Sequence, residues 1–220
     1  MMTNLFSIFD PSTSQHMSMN WISILNFIMI PLAFWMIPSR IQMIWNKIFM
    51  KIHTEMKNNL FLKNHKFIIL FITLFMMIFL SNIMGLIPFV FTPSSHLVFS
   101  MFLAFPFWLS LMIYGWINHF NKMMIHLVPM GSPMMLTVFM VLIETISNMI
   151  RPITLSVRLS ANMISGHLLI HLLTSIPSNM HMSYIMIFPI MMALMFLETA
   201  VAMIQSYVFI TLSSLYLNEI

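Results

Sequence analysis

The sequence predicts an all-α, polytopic membrane protein with about five to six hydrophobic helices, and three observations lead to that prediction. Hydrophobic residues make up 60% of the 220 residues and charged residues only 6%, whereas soluble domains carry roughly 25% charged residues. The apolar runs are continuous and long enough to span a bilayer as helices, while a transmembrane barrel would alternate apolar and polar residues in segments of about ten. Turns rich in Pro, Ser and Gly separate the runs. We therefore expect residues 1–220 to form a single membrane domain.

Residues 1–66 are predicted to hold one crossing followed by a basic segment. The crossing covers about residues 20–38, with Pro31 as a kink. The next residues carry most of the positive charge, and their first half, IQMIWNKIFMKI, alternates apolar and basic positions at helical spacing. That pattern fits either an amphipathic helix on the membrane surface or a solvated loop. The start of the chain lacks a basic region followed by an apolar core, so no cleavable signal or transit peptide is expected.

Two helical hairpins are predicted to follow, over residues 67–118 and 134–218. Their four crossings are expected at about 67–90, 97–118, 134–175 and 184–217. The last two are unusually long: about 40 residues reach roughly 60 Å as a helix, twice a hydrocarbon core of roughly 30 Å. The third of these crossings must therefore tilt steeply, bend at Pro152, or consist of two pieces.

The basic residues predict the orientation of the chain. The loops 40–66 and 118–133 hold seven of the nine Lys and Arg residues. Loops on the inner face of a membrane carry an excess of Lys and Arg, and of the two orientations of five crossings only one puts both loops on the inner face. The N-terminus is then outside, and both basic loops and the C-terminus are inside.

A polar stripe runs through the third of these crossings, which is otherwise apolar. Glu144, Arg151 and Arg158 are spaced by seven residues, which is close to two full helical turns, so they share one face. Asn162 and Ser165 extend it. A charged side chain at membrane depth costs at least about 2.5–3.5 kcal/mol and indicates function by default. The alternatives are hydrogen bonding between helices for Asn162 and Ser165, and a structural ion pair for Arg158, whose guanidinium cannot lose its proton.

Two histidines and a second stripe complete the candidate residues. His167 is nine residues from Arg158 and points to the other side of the helix; His167 and His171, at i and i+4, suit a metal or haem, or are buried histidines with ordinary partners. In the last crossing, Glu198 and Gln205 are spaced by seven, and Tyr216 lies on nearly the same face. If Glu198 packs against His167, a proton can bind and leave near physiological pH. The alternative is a carboxylate near a helix end.

At these residues the chain resembles subunit a of the F-type ATP synthases, and most closely the mitochondrial form. The resemblance covers the chain from about residue 67 to the end. The matching motifs are LIETIS (142–147), RPITLSVRLSANMISGHLL (151–169), LETAVAMIQSYVF (197–209), SLYL (214–217) and LVPMGSP (127–133). It implies an all-helical fold whose last two helices are steeply tilted along a rotating ring of c subunits. It also implies a location in the mitochondrial inner membrane, with the N-terminus in the intermembrane space and the C-terminus in the matrix.

The resemblance implies a role for several of the polar residues. Arg158 is the arginine that faces the ring, with Asn162 beside it and Gln205 close to it from the next helix. His167 and Glu198 line the half-channel open to the intermembrane space. The other half-channel, which opens to the matrix, is lined by Glu144. The resemblance assigns no role to Arg151, for which an ion pair with Glu144 is one possibility.

The same residue set suits proton-driven rotation on physical grounds. A permanent cation between two aqueous half-channels attracts a deprotonated ring carboxylate and repels protons, which blocks leakage between the channels. The chain itself is expected to catalyse no covalent chemistry and to bind no cofactor. The implied partners are the c ring, the peripheral stalk and other membrane-sector subunits, the lipid bilayer and the transported protons, with no nucleic acid.

Two other functions compete with this one. A haem- or quinone-binding anchor of a respiratory complex would need histidines paired across helices, and only His167 and His171 are candidates. A self-contained channel or transporter would show inverted repeats, and none is visible.

Cysteine is absent, which excludes disulfides, thiolate metal sites and cysteine nucleophiles. No nucleotide-binding loop or HExxH motif is found.

Overall fold

The structure, a computed structural model, describes residues 6, 9–13, 17–31, 37–87, 90–128, 133–175 and 184–219. The regular elements of these residues are all helical. Four helices in the described part are long and apolar enough to cross a membrane, and they span Asn64–Gly85, Leu97–Asn118, Leu136–Ser175 and Met186–Asn218. The predicted fold class, an all-α polytopic membrane protein, is thus confirmed.

The N-terminal segment contains a 3-10 helix, Met19–Met29, of 11 residues. At about 2.0 Å per residue it covers roughly 22 Å, which is less than the hydrocarbon core. Residues 32–36 of the predicted first crossing lie outside the described residues, so that crossing stays a prediction. The ring of Trp21 packs against those of Phe91 and His96, which fixes the 3-10 helix beside a later turn of the chain.

The basic segment forms helix α1, Arg40–Asn59, so its first half is helical and not a solvated loop. A capping box starts the helix: the Ser39 hydroxyl accepts from the Gln42 N–H, and the Gln42 side chain accepts from the Ser39 N–H. Such a cap satisfies donors that the first helical turn leaves open. Met56 is buried while Ile41 and Ile44 remain largely exposed, so one apolar edge of α1 packs on the bundle and another does not.

The first hairpin consists of α2, Ile68–Gly85, and α3, Leu97–Asn118. The bounds of α3 match the prediction, whereas α2 ends earlier than expected. Gly85 explains the close packing there, because a Cβ at this position would lie 2.8 Å from the Thr92 methyl group. In the core between the helices, the fully buried ring of Phe71 packs edge-on against Phe107, with 5.6 Å between the ring centroids.

The loop predicted after α3 contains a short helix, α4, Phe120–Leu127. Two long helices follow, α5, Met134–Ser175, and α6, Tyr184–Glu219. Helix α5 is one continuous helix of 42 residues with Pro152 in its interior, so it is not divided into two pieces. Its length of roughly 63 Å requires a strong tilt or curvature to remain within a bilayer.

The end of α6 is tied to the connection between α1 and α2. The Asn218 side chain donates to the Asn59 carbonyl at 2.6 Å and accepts from the Phe61 N–H at 3.3 Å. The Asn64 side chain donates to the Leu217 carbonyl at 3.3 Å. Helix α6 also packs on α2, and α5 packs on α3. The first hairpin therefore supports the second one, whose opposite face remains open.

Candidate functional site

The predicted polar residues of α5 and α6 meet across an antiparallel helix pair. The guanidinium carbon of Arg151 lies 4.9 Å from the centroid of the Tyr216 ring. Eleven residues later in α5 and eleven earlier in α6, the Asn162 amide donates to Gln205 Oε1 at 3.4 Å. Eleven residues are about three helical turns, so both contacts lie on the same side of each helix. The resemblance implied that Gln205 lies close to Arg158; in the structure its hydrogen bond is to Asn162, which is one helical turn from Arg158.

Glu198 lies against the backbone of α5 at Gly166. A Cβ placed on Gly166 would be 2.6 Å from Glu198 Oε1 and 3.2 Å from its Cγ. Only glycine therefore allows the carboxyl group to sit at this depth. Glu198 is 9% exposed, and neither carboxyl oxygen has a hydrogen-bond partner among the described residues.

A cavity of about 180 Å³ opens beside this carboxyl group. Its wall includes Asn162, Ser165 and Glu198 together with apolar residues such as Leu86. A site with this volume and several polar groups has room for water molecules. Water there would satisfy the carboxyl oxygens of Glu198 and connect them to the polar stripe of α5.

Arg158 is exposed on the outer face of α5. Its neighbours Leu155 and Leu159 are buried against the bundle, so the helix turns Arg158 away from the core. Within the described part of the chain, the guanidinium makes no hydrogen bond or ion pair. The alternative of a structural ion pair inside this chain therefore receives no support. A cation at membrane depth needs a partner or water, and the open face leaves room for a partner on another chain.

Arg151 has a different environment, although it lies on the same stripe. Its Nη2 atom is 3.8 Å from Oε1 of Glu144, which is the ion pair that the sequence allowed. Together with the contact to Tyr216, this pair links Arg151 to both α5 and α6. The contact between Glu144 and Arg151 agrees with the seven-residue spacing of these two residues, but that spacing did not distinguish the paired arginine from the open one.

The two histidines lie further along α5. His167 is partly buried, and the edge of its ring contacts Phe9, with 6.3 Å between the centroids. Its Nε2 atom and the Nδ1 atom of His171 are buried without a hydrogen-bond partner among the described residues. No hydrogen bond joins His167 to Glu198 there, because both oxygens of Glu198 are also unpaired. The proposed proton exchange between them would therefore require bridging water.

Sequence reasoning did not identify the contacts of two residues in this site. Gly166 was considered only as part of a motif, although a glycine inside a membrane helix of a chain with only 4 glycines indicates a close approach of another group. The contact between Tyr216 and Arg151 was also missed. No spacing on a single helix could have predicted it, since the two residues lie on different helices.

Comparisons with known proteins identify the family. The profile of the family described as "ATP synthase A chain" matches residues 16–218. Proteins named ATP synthase subunit a from Anopheles quadrimaculatus and Drosophila melanogaster are each 52% identical to this chain over the full length of both proteins. The corresponding protein of Aedes aegypti is 51% identical over the same extent.

These matches confirm the resemblance inferred from the motifs and do not favour the haem- or quinone-binding alternative. Together with the four membrane-length helices, they support a multi-pass protein of the mitochondrial inner membrane. The chain belongs to the ATP synthase A chain family.

Proposed function

We propose that this chain is the proton-translocating stator subunit in the membrane sector of an F-type ATP synthase. Proton flow through two half-channels between this chain and a ring of c subunits would drive rotation and ATP synthesis. The observation that carries the proposal is the open position of Arg158, a permanent cation on the outer face of α5 with no partner among the described residues. A positive charge in that position is available to attract a negatively charged group on a neighbouring chain.

Arg158 acts as the electrostatic centre of the site. A ring carboxylate that reaches it is stabilised in the ionised form, because a nearby positive charge favours the deprotonated state. The guanidinium itself holds its proton at any physiological pH. It therefore does not relay protons, and it separates the two half-channels. Asn162, held by Gln205, lies one turn away from it and presents a neutral polar surface to the same partner.

The inlet half-channel leads to Glu198. Its buried carboxyl group and the adjoining cavity, whose wall includes Asn162 and Ser165, form a polar region inside an apolar helix pair. The unpaired Nε2 atom of His167, which follows Gly166, adds a further polar group on this part of α5. Such a region favours entry of water, through which a proton can reach the ring carboxylate. The proposed outlet lies at the other end of the stripe, beside Glu144, whose side chain is 41% exposed.

The proposed topology puts the N-terminus in the intermembrane space and the C-terminus in the matrix. The positive-inside rule supports it, since the basic helix α1 and the segment after α3 then face the matrix. The c ring would cover the outer face of α5 and α6. The peripheral stalk and other membrane-sector subunits would contact other exposed parts of the bundle.

The test is the substitution Arg158→Ala in the assembled complex. We expect ATP-driven proton pumping to be lost, because the ring carboxylate no longer meets a cation between the half-channels. Pumping is measured by quenching of a pH-sensitive dye in vesicles, and the amount of assembled complex is measured alongside it. Val157→Ala, at an exposed apolar position next to it, is the matched control and should pump normally. Wild-type pumping by the Arg158 variant would refute the proposed function.

A further inference from the structure

Two arginines of α5 lie on one stripe but have opposite surroundings. Arg158 is exposed and has no ion pair within the described part of the chain. The side chain of Arg151 is 30% exposed; it is 3.8 Å from the carboxylate of Glu144, and its guanidinium lies over the ring of Tyr216. Since seven residues separate the arginines, their Cα atoms are about 10 Å apart along the helix and about 20° apart around it. The difference between them therefore lies in the direction and the neighbours of their side chains.

A second observation shows that Arg151 is turned toward the bundle. Its side chain forms part of the wall of a small cavity of about 20 Å³ between α3, α5 and α6, together with Trp108 and Ser213. The face of an aromatic ring carries negative partial charge and attracts a cation. Arg151 thus has a full negative charge on one side, from Glu144, and a partial one on the other, from Tyr216.

This arrangement matters if a ring carboxylate moves along α5, so the inference rests on the proposed function. Two open cations on one face would offer the carboxylate two places to bind. A carboxylate held at the second place would delay rotation, because it would have to leave that cation before it could be protonated again. A paired arginine attracts a further carboxylate much less, since the charge of its partner offsets its own.

We propose that Glu144 and Tyr216 neutralise Arg151, so that a ring carboxylate meets a single open cation, Arg158. On this view, the main contribution of Glu144 is to balance the charge of Arg151. Its contribution as a proton acceptor in the outlet is smaller. Without Glu144 and Tyr216, Arg151 would attract the ring carboxylate and slow pumping.

The test is a double-mutant comparison in the assembled complex. Glu144→Gln leaves Arg151 unbalanced, and we expect ATP-driven pumping to slow several-fold. Arg151→Gln alone should change the rate less than twofold. The double variant should regain most, but not all, of the rate of Arg151→Gln, because no second cation remains while the smaller contribution of Glu144 to the outlet is lost. If the double variant is as slow as Glu144→Gln, Glu144 acts through its own proton chemistry and the inference is wrong.

A second pair of variants protects the test against simple loss of assembly. Tyr216→Leu removes the aromatic face and should slow pumping in a way that Arg151→Gln reverses, whereas Tyr216→Phe keeps the ring and should pump normally. Absence of that reversal would also overturn the inference. Arg158→Ala distinguishes the two proposals: normal pumping there refutes the proposed function, whereas lost pumping there with no reversal elsewhere refutes only the neutralisation of Arg151.

Discussion

The two helical hairpins of this protein differ in how they use their polar and apolar surfaces. In the apolar stretches of the membrane-length segments Asn64–Gly85 and Leu97–Asn118, 44% and 28% of the residues are buried inside the chain. The shares are 6% and 11% for Leu136–Ser175 and Met186–Asn218. The first hairpin is thus a large part of the protein's own core. The second hairpin exposes most of its apolar surface, and it also carries Arg158 and Glu198. An exposed apolar surface of that extent indicates a region that contacts lipid and partner subunits.

The two hairpins also differ in whether their polar side chains are buried or exposed. Asn82 of α2 is fully buried, whereas Asn162 of α5 is exposed. Both lie at membrane depth, where an unsatisfied polar group is costly. Neither the amide nitrogen nor the amide oxygen of Asn82 has a hydrogen-bond partner among the described residues, so a trapped water is the group that would satisfy them. On the outer face of α5, in contrast, the polar side chains of Arg158 and Asn162 are exposed.

The largest structural effect is expected from a substitution in the first hairpin. Phe71→Ala removes a fully buried ring that packs on Phe107. We expect destabilisation of about 3 kcal/mol, from lost van der Waals contacts and the cavity left behind. The matched change in the second hairpin, Val157→Ala, should destabilise the isolated chain by less than about 0.5 kcal/mol. Thermal unfolding of the purified chain in detergent measures both, and equal losses would contradict the comparison.

The next effect is functional and concerns the second hairpin. Gly166→Ala places a methyl group where the carboxyl group of Glu198 now lies. The flexible end of the side chain can move, so we expect assembly to persist. Displacement by about 1 Å should lower proton flux on the order of ten- to a hundredfold. The measurement is passive and ATP-driven proton flux through the reconstituted complex.

A shorter side chain at Glu198 provides the control for this prediction. Glu198→Asp withdraws the carboxyl group from α5 and should restore part of the flux in the Gly166→Ala background. Glu198→Gln, which keeps the size but removes the acid, should slow proton entry without disrupting assembly. If Gly166→Ala has normal flux, or if Glu198→Asp makes it slower still, the close packing of these two residues has no role in proton entry.

The smallest effect is expected for the contact between Asn162 and Gln205. Their hydrogen bond is long, at 3.4 Å, and such bonds between membrane helices contribute about 0.6 kcal/mol on average. Asn162→Leu and Gln205→Leu should therefore be coupled by less than about 1 kcal/mol in a double-mutant cycle on thermal stability. A larger coupling free energy would mean that this hydrogen bond stabilises the packing of α5 on α6 more than a long, partly exposed hydrogen bond is expected to do.

Several helices could be predicted from the sequence because their ends are marked locally. The bounds Leu97–Asn118 and Met134–Ser175 match the predicted segments, since long apolar runs end there at turn-forming residues. Prediction was weaker where local signals conflict. Helix α1 combines apolar and basic residues, a pattern that fits a surface helix as well as a solvated loop. The capping box at Ser39 and the burial of Met56 in the structure identify it as a helix.

For the site, single-helix geometry determined which residues share a face, and tertiary packing determined what each of them contacts. A spacing of seven placed Glu144, Arg151 and Arg158 on one stripe, because that angle depends only on the helix itself. The ring over Arg151 and the approach of Glu198 to Gly166 depend on the register between α5 and α6. That register is set by the packing of many side chains on two helices, and no pattern within one helix contains it.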